Sequence, residues 1–574
     1  MHPLIVHGCS CGHDFDFHLL SWMEAANQFS HGNLHPHWAF TPAFNAGEPR
    51  FVFYPPLSWM LGALLGLLLT HLPGVSEAAG WTAAPIAFTW IALTLSGLTM
   101  HRLARAYAGT NAALIAATLY MVNPYMLFTA YERTAYAELL AAAWMPLLLL
   151  AILRPCAGKD RVTVARIALP VALLWLTNAP AAVMGCYTLA LLAVVRVAAN
   201  RSAADAGWEM RGATRIEIIA KTFAGTALGL ALAAFYIVPA EFEQRFVQIS
   251  MATITGMRID QNFLFEHTGM TPDELLHDQV LHTASWIAVV LLAATFAALV
   301  AAFLRNRRAP PSSQLPIFAL GILTAAIAFA LTPLSTPIWR YAPEAEFLQF
   351  PWRLMAVLAP VFALAVAIAI SSPDAPDAEG EQARRNVSSL LLAVFLLTAA
   401  LALPAYHLYR QPCDPEDTAP ARLALFHSNA GTDPTDEYTP AGANNDALQP
   451  GDPPWWLAPS VDGAPAADAQ PGPAPTHLAF AAPHAEFLIL NLRDYPAWYI
   501  TLAHEGGRAA PVLLTHRDGG LITVPISGGA STIDIHYAQM PDQTAGDAVS
   551  LIALLVFLLL IFFRMRRTMP TLRA

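Results

Sequence analysis

The chain has 574 residues, of which 56% are hydrophobic and only 13% charged, where an ordinary soluble chain carries about 25% charged residues. Together with a mean hydropathy of +0.45, this excludes a disordered protein and an ordinary cytosolic enzyme and points to a polytopic membrane protein. The net charge of −10 leaves no basic footprint for nucleic acid.

The N-terminal segment is rich in histidine: seven of the 19 histidines fall in the first 37 residues. Its densest stretch is HGCSCGHDFDFH, His7 to His18, with Asp14 and Asp16 in a DxD arrangement. Two carboxylates one residue apart can converge on a cation or on a hydroxyl to be deprotonated. The plainer alternative is a pair of helix-capping aspartates before the helix FHLLSWMEAANQF. A zinc site from His7, Cys9, Cys11 and His13 fits no standard spacing. The run 57–72 is expected to lie in or dip into the outer leaflet, which keeps 1–53 outside. An upstream helix would be the simplest account of a segment that starts outside.

Apolar runs follow at about 80–100, 110–129, 137–153, 167–195, 219–239, 284–304, 316–332, 354–371, 387–404 and 548–563, each close to the roughly 20 residues that span a bilayer. Between them lie six basic clusters: Arg102/Arg105, Arg154 to Arg166, Arg196 to Lys221, Arg305 to Arg308, Arg384/Arg385 and Arg564 to Arg573. They hold 20 of the 31 basic residues. The positive-inside rule makes them, and the C-terminus, cytoplasmic. The run 167–195 then has both flanks inside but is too short for two straight crossings. It is expected to be two helices meeting at TNAP (Thr177 to Pro180), a break tolerated where it is buried or lines a cavity.

Three elements between the spans carry candidate chemistry. AYERTAYAELL (130–140) places Glu132, Arg133 and Glu138 at the outer boundary, either as snorkelling interface charges or as a phosphate clamp with a second carboxylate. FLQFPWRL (347–354) opens a span with Arg353 on the side where arginine is disfavoured, so a carboxylate or lipid-phosphate partner is expected. Asn178 brings an amide to the TNAP break, a position more often structural than catalytic. The loop 240–283 holds Glu241, Glu243, Arg245, Arg258, Asp260, Glu266, His267 and Asp273, and the sequence does not rank them.

The segment 405–547 carries 17 acidic and five basic residues, a net −12, so the remainder is +2. Its first part, about 411–475, is rich in Pro, Ala, Gly and Asp and reads as irregular. From about 476, AEFLILNL, AWYITLA, GLITVPI and STIDIHY alternate apolar and polar residues between turns. These predict a small β-sandwich held by the last helix. Its Trp455, Trp456, Trp498 and Tyr499 are either sugar-stacking platforms or core and interface aromatics. Of the five cysteines, Cys156 is placed in the cytoplasm and Cys186 in the membrane. Cys9, Cys11 and Cys413 lie outside, where a disulfide is permitted; Cys9 and Cys11 are too close for an easy mutual bridge, leaving Cys413 as a candidate partner.

The order GHDFDFHL, GEPRFVFYPPLSW, AYERTAYAE with a following WMPL, LTNAPA and FLQFPWRL resembles the bacterial family labelled "6-pyruvoyl-tetrahydropterin synthase-related membrane protein", over about 8–404. That family is similar to the GT-C class of polytopic glycosyltransferases. The resemblance implies transfer of a sugar from a polyprenyl-phosphate donor to a cell-envelope glycan, lipid or protein acceptor at the outer face of the bacterial inner membrane. It implies roles for Asp14, Asp16 and Glu138 as the acidic residues of the reaction. His18, Glu132, Arg133, Asn178 and Arg353 would contact substrate. Asp14 and Asp16 would be the ligands of any divalent cation, Mg or Mn; no other cofactor is implied.

The expected fold class is therefore mainly α: a GT-C-like transmembrane bundle, a C-terminal extracytoplasmic β-sandwich-like domain and a final transmembrane helix. The expected boundaries are an external loop with juxtamembrane helices at 1–53, the transmembrane module at 54–404, the Pro-rich segment and β-domain at 405–547, and the last helix with its basic cytoplasmic tail at 548–574. Two rivals are a lipid-linked glycan transporter or flippase and a non-enzymatic envelope assembly protein. The central helices carry almost no charge and show no inverted repeat, which favours a reaction at the surface over a translocation path.

Overall fold

The computed structural model describes residues 2–154, 164–205, 215–254, 256–267, 269, 271–308, 311–371, 381–466 and 469–568. Cys156, Lys159, Arg161, Arg573 and part of the Arg196–Lys221 cluster lie outside them. Among the described residues, eight helices are long and apolar enough to cross a membrane, or ten with each of two bent pairs taken as one span. The protein is thus a multi-pass helical bundle carrying a C-terminal β-domain.

The bent pairs have local causes. Arg215–Leu232 and Ala234–Phe246 meet at 75°, and Gln314–Ala330 and Pro333–Tyr341 at 94°. In the second pair Pro333 has no N–H to continue the ladder and starts a new helix instead. The TNAP break is present: Val164–Trp175 ends and Ala179–Asp205 begins across it. The first of these has 12 residues, or roughly 18 Å, too short to cross alone. It packs on Arg215–Leu232 through Gly225 and Gly229, where a Cβ would come within 2.7 Å of Ile167 and Val171 side chains. Small residues four apart allow such close helix contact in a lipid environment.

Met355–Ile370 is the central helix, buried along almost its whole length. It packs on Pro272–Asn306 and Thr110–Met121. Pro56–Thr70 is a shorter apolar helix that packs on Phe15–Ser30 and Glu77–Ala104. Its start bonds the TNAP turn (Leu57 N to Leu176 O, 2.8 Å). The helix after it begins at Glu77, 3.2 Å from His427 of the linker to the β-domain.

The β-domain has two antiparallel sheets. The strands are β1 (Trp455–Ala458), β2 (His477–Ala482), β3 (Glu486–Arg493), β4 (Trp498–His504), β5 (Ala510–Pro511), β6 (Leu521–Ile526) and β7 (Gly529–Tyr537). Their orders are β1-β3-β6 and β2-β7-β4-β5. Leu488, Leu490, Ile522 and Val524 of the first sheet share a core with Ile500, Ile533 and Ile535 of the second. β3, β4, β6 and β7 are the four alternating runs of the sequence. The segment 411–475 is less irregular than expected: it holds the helix Ala419–His427 and strand β1. Four residues between prolines show too little alternation to reveal β1.

This domain is docked, not merely tethered. Its core takes in Trp38 and Val247 from outside the domain, and Arg493 N donates to Ala46 O at 2.9 Å. Glu243, fully buried, accepts from Tyr495 Oη (2.5 Å) and from Gln543 of the last helix (2.9 Å). One of the unranked acidic residues of 240–283 is thus a structural joint.

Candidate functional site

A short backbone ladder fixes Asp14. Cys11 N donates to Gln411 O (3.2 Å), His13 N to Glu132 O (3.4 Å) and Asp14 N to Arg133 O (3.0 Å). The ladder needs Gly12, because a Cβ there would sit 2.2 Å from Glu132 O. The helix Phe15–Ser30 starts immediately after. Asp14 holds its N-cap position, yet its side chain makes no capping hydrogen bond. Asp14 therefore does not fulfil the plain capping role, and its half-buried carboxylate is left for other work.

Asp16 points elsewhere. Two residues along a helix is a turn of about 200°, and Asp16 Oδ2 lies 3.8 Å from Arg422, with its side chain 48% exposed. Arg422 also bonds Asp417. The two aspartates thus do not share a ligand set, and one is already met by an arginine. The residues present do not fit a resident divalent cation at this DxD.

His18, one turn after Asp14, is 1% exposed with Nδ1 unpartnered. Its ring packs 5.3 Å from Tyr136 and 5.7 Å from Tyr54. Burial pushes its pKa down to about 4, so the ring is neutral.

The second half of the site is cationic. A π-helical turn, Phe128–Glu132, delivers Arg133 into the interior, where it is 6% exposed. Such turns insert one extra residue and re-aim the side chains beyond them. Arg133 Nη1 holds Glu138 Oε2 at 2.7 Å and lies over Trp352 at 4.9 Å. Arg353 Nε lies 3.9 Å from the same oxygen. Tyr125 donates its hydroxyl to the other carboxylate oxygen. Arg353 is held by Leu348 O (3.0 Å) and Gln349 Oε1 (3.3 Å) and lies over Phe350 at 4.9 Å. Its Nε is buried without a hydrogen-bond partner.

Two guanidiniums thus share one buried carboxylate, an arrangement short of one negative charge. Asp14 supplies part of it from the side: its field acts on Arg133, Arg353, His18 and Tyr54. The structure brings Asp14, His18, Arg133, Glu138 and Arg353 together from sequence positions more than 300 residues apart. Glu138 has no free oxygen for base chemistry, because both are engaged.

The other candidates lie aside. Glu132 turns away from the cluster and accepts from Gln411 Nε2 (2.7 Å). Asn178 caps the helix Ala179–Asp205 through Ala181 N (2.9 Å). Trp456 bonds Gly463 O (2.9 Å), and Trp498 packs on Trp38, so both are framework. Tyr499 is 44% exposed beside His536. Cys11 and Cys413 form a disulfide. Tyr54 and Tyr125 join the site, and Arg422 draws Asp16 away from it, without a sequence signal of their own, although Tyr54 sits inside GEPRFVFYPPLSW.

No family model and no curated protein sequence matches the chain. Some solved structures are similar in outline. Arabinofuranosyltransferase AftD from Mycobacteria aligns at a TM-score of 0.40 and 17% identity, over 71% of this chain and 26% of that one. The apo oligosaccharyltransferase of Archaeoglobus fulgidus aligns at 0.38 and 18%, over 72% and 52%. ArnT from Cupriavidus metallidurans, bound to undecaprenyl phosphate, aligns at 0.32 and 12%, over 73% and 72%. The chain thus spans about a quarter of the first and half of the second.

Proposed function

We propose that this protein is a GT-C-type membrane glycosyltransferase that moves a sugar from a polyprenyl-phosphate donor to an envelope glycan, lipid or protein acceptor. On this reading the site and the β-domain face outward, and the basic clusters and C-terminus face the cytoplasm. The observation that carries it is the pair Arg133 and Arg353 on one carboxylate, with a buried Arg353 Nε that makes no hydrogen bond. An anion with several oxygens satisfies that geometry, and arginine forks suit phosphate.

Asp14 deprotonates the acceptor hydroxyl, which attacks the anomeric carbon. The sugar–phosphate bond breaks with inversion. Arg353 and Arg133 hold the charge that gathers on the departing phosphate. Glu138 keeps the two arginines parallel and takes no proton. His18, neutral and buried, shapes the wall beside Asp14. The motif series GHDFDFHL to FLQFPWRL supports the finer reading, a member of the pterin-synthase-related membrane family, and the β-domain would hold the acceptor. The test is a proteoliposome transfer assay with radiolabelled polyprenyl-phosphate sugars. Wild type transfers and Asp14→Asn does not. A normally inserted Asp14→Asn that transfers at the wild-type rate overturns the reading.

A further inference from the structure

We propose that Cys9, Cys11 and Cys413 form a thiol–disulfide exchange site, in which Cys413 can be bridged either to Cys11 or to Cys9. The bridge present joins Cys11 to Cys413 across 402 residues, with Cα atoms 5.0 Å apart. Cys9 is a free thiol buried against it. All three sulfurs lie within 4.8 Å of one another. Cys413 Sγ lies 3.9 Å from Cys9 O. Among the described residues this is the one trio of ligating side chains so close together. A plain staple needs two cysteines, and an apolar residue would fill the place of the third.

The trio stands where a bridge has mechanical consequences. Its sulfurs come from two strips of chain. One is the loop that ends at Asp14; the other is the linker that carries Gln411 and Arg422, which bind Glu132 and Asp16. Moving the bridge from Cys11 to Cys9 unties Cys11, whose N–H donates to Gln411 O at the start of the ladder that sets Asp14. The sulfurs of Cys9 and Cys413, already within 4.8 Å, need only close to bond distance.

The chemistry balances without a net oxidant. An incoming thiolate attacks Cys413 Sγ. A mixed disulfide forms, the Cys11–Cys413 bond breaks, and Cys11 leaves as a thiolate and takes up a proton. Cys9 loses its proton and attacks Cys413 Sγ. The Cys9–Cys413 bond forms, and the incoming thiolate is released unchanged. Burial pushes the Cys9 thiol up, so the resting bridge is kept until a thiol opens it. Cys11 and Cys413 are half-buried and within its reach. The proposal rests on the outward orientation of the site, since disulfides persist in that compartment.

The test is a bond map of the full-length protein in detergent. It is equilibrated in a reduced/oxidised glutathione buffer, acid-quenched, alkylated and sequenced by fragmentation mass spectrometry. Wild type should show alkylated Cys11 alongside alkylated Cys9, and Cys11→Ser should carry a Cys9–Cys413 bridge. The proposal is overturned if Cys11 is never alkylated without Cys413. It is equally overturned if Cys11→Ser leaves Cys9 and Cys413 as free thiols, or if the reduced wild type binds one zinc and forms no alternative bridge. The wild-type map stands even if Cys11→Ser fails to fold. The readout is a bond, so it succeeds or fails independently of transferase activity.

Discussion

Arg133 and Arg353 converge on a single oxygen: Glu138 Oε2 is 2.7 Å from the first and 3.9 Å from the second. Burying two cations against one anion is costly unless a further anion arrives. Arg353, the more weakly paired, is therefore the residue whose loss should show most clearly in donor affinity. Arg353→Ala should raise the KM for the polyprenyl-phosphate donor by roughly 10- to 100-fold, the equivalent of one charge-assisted hydrogen bond. Arg353→Lys should recover only part, because an ammonium lacks the planar fork. Steady-state transfer at varied donor concentration measures both.

The two aspartates of the DxD should separate. Asp14→Asn should lower kcat by about 10²- to 10⁴-fold with the donor KM little changed, as expected for loss of a general base. Asp16 faces Arg422 at a half-exposed site, where an ion pair contributes little. Asp16→Asn should therefore stay within about threefold of wild type. Equal losses in the two variants would contradict the assignment. The same geometry predicts that chelation with EDTA leaves the rate unchanged.

Glu138→Gln should cost about 3–5 kcal/mol, because it strands two buried guanidiniums. The melting temperature in detergent should fall, and Arg353→Met added to it should restore part of the loss by removing one stranded cation. A base role for Glu138 would instead give a stable, inactive protein.

His18 gives a pH signature. Its folded pKa of about 4 lies below the ordinary 6.5. Between those values the unfolded chain is protonated at this residue and the folded one is not. Stability is thus whole above about pH 6.5 and falls as pH drops toward 4, by on the order of 3 kcal/mol in the limit. Melting curves at pH 7 and pH 5 should differ more for wild type than for His18→Gln.

Much of the bundle is legible in the sequence because apolar length and basic flanks are local properties. The TNAP break is visible for the same reason, since Asn178 and Pro180 carry a helix start in their own chemistry. Strands β3, β4, β6 and β7 show their alternation. β1 is hidden because WWLA gains its strand character only by pairing with β3. Asp14 stands out in its DxD, Arg133 as a charge at the membrane boundary and Arg353 as an arginine on the disfavoured side. The division of labour among them does not, because it depends on which oxygen meets which guanidinium. Glu138 reads as a second acid until Tyr125 and two arginines are seen around it. Asp16 reads as the twin of Asp14 until Arg422, some 400 residues on, is found beside it.

Gly12 offers the sharpest check on the positioning of Asp14. The residue has no chemistry of its own, yet a methyl group there would lie 2.2 Å from Glu132 O and 3.0 Å from the Arg133 carbonyl carbon. The contact is backbone against backbone, so no side chain can move aside to relieve it. Gly12→Ala must therefore part the loop from residues 132–133 and carry Asp14 away from the arginines with it. A displacement of about 1 Å at a reacting group costs about 10²-fold in rate. Gly12→Ala should then lose kcat nearly as Asp14→Asn does. Gly109→Ala, where a Cβ meets nothing within 4 Å, should behave as wild type. Transfer rates and melting curves of these two variants, run together, decide whether the ladder sets the site or merely adjoins it.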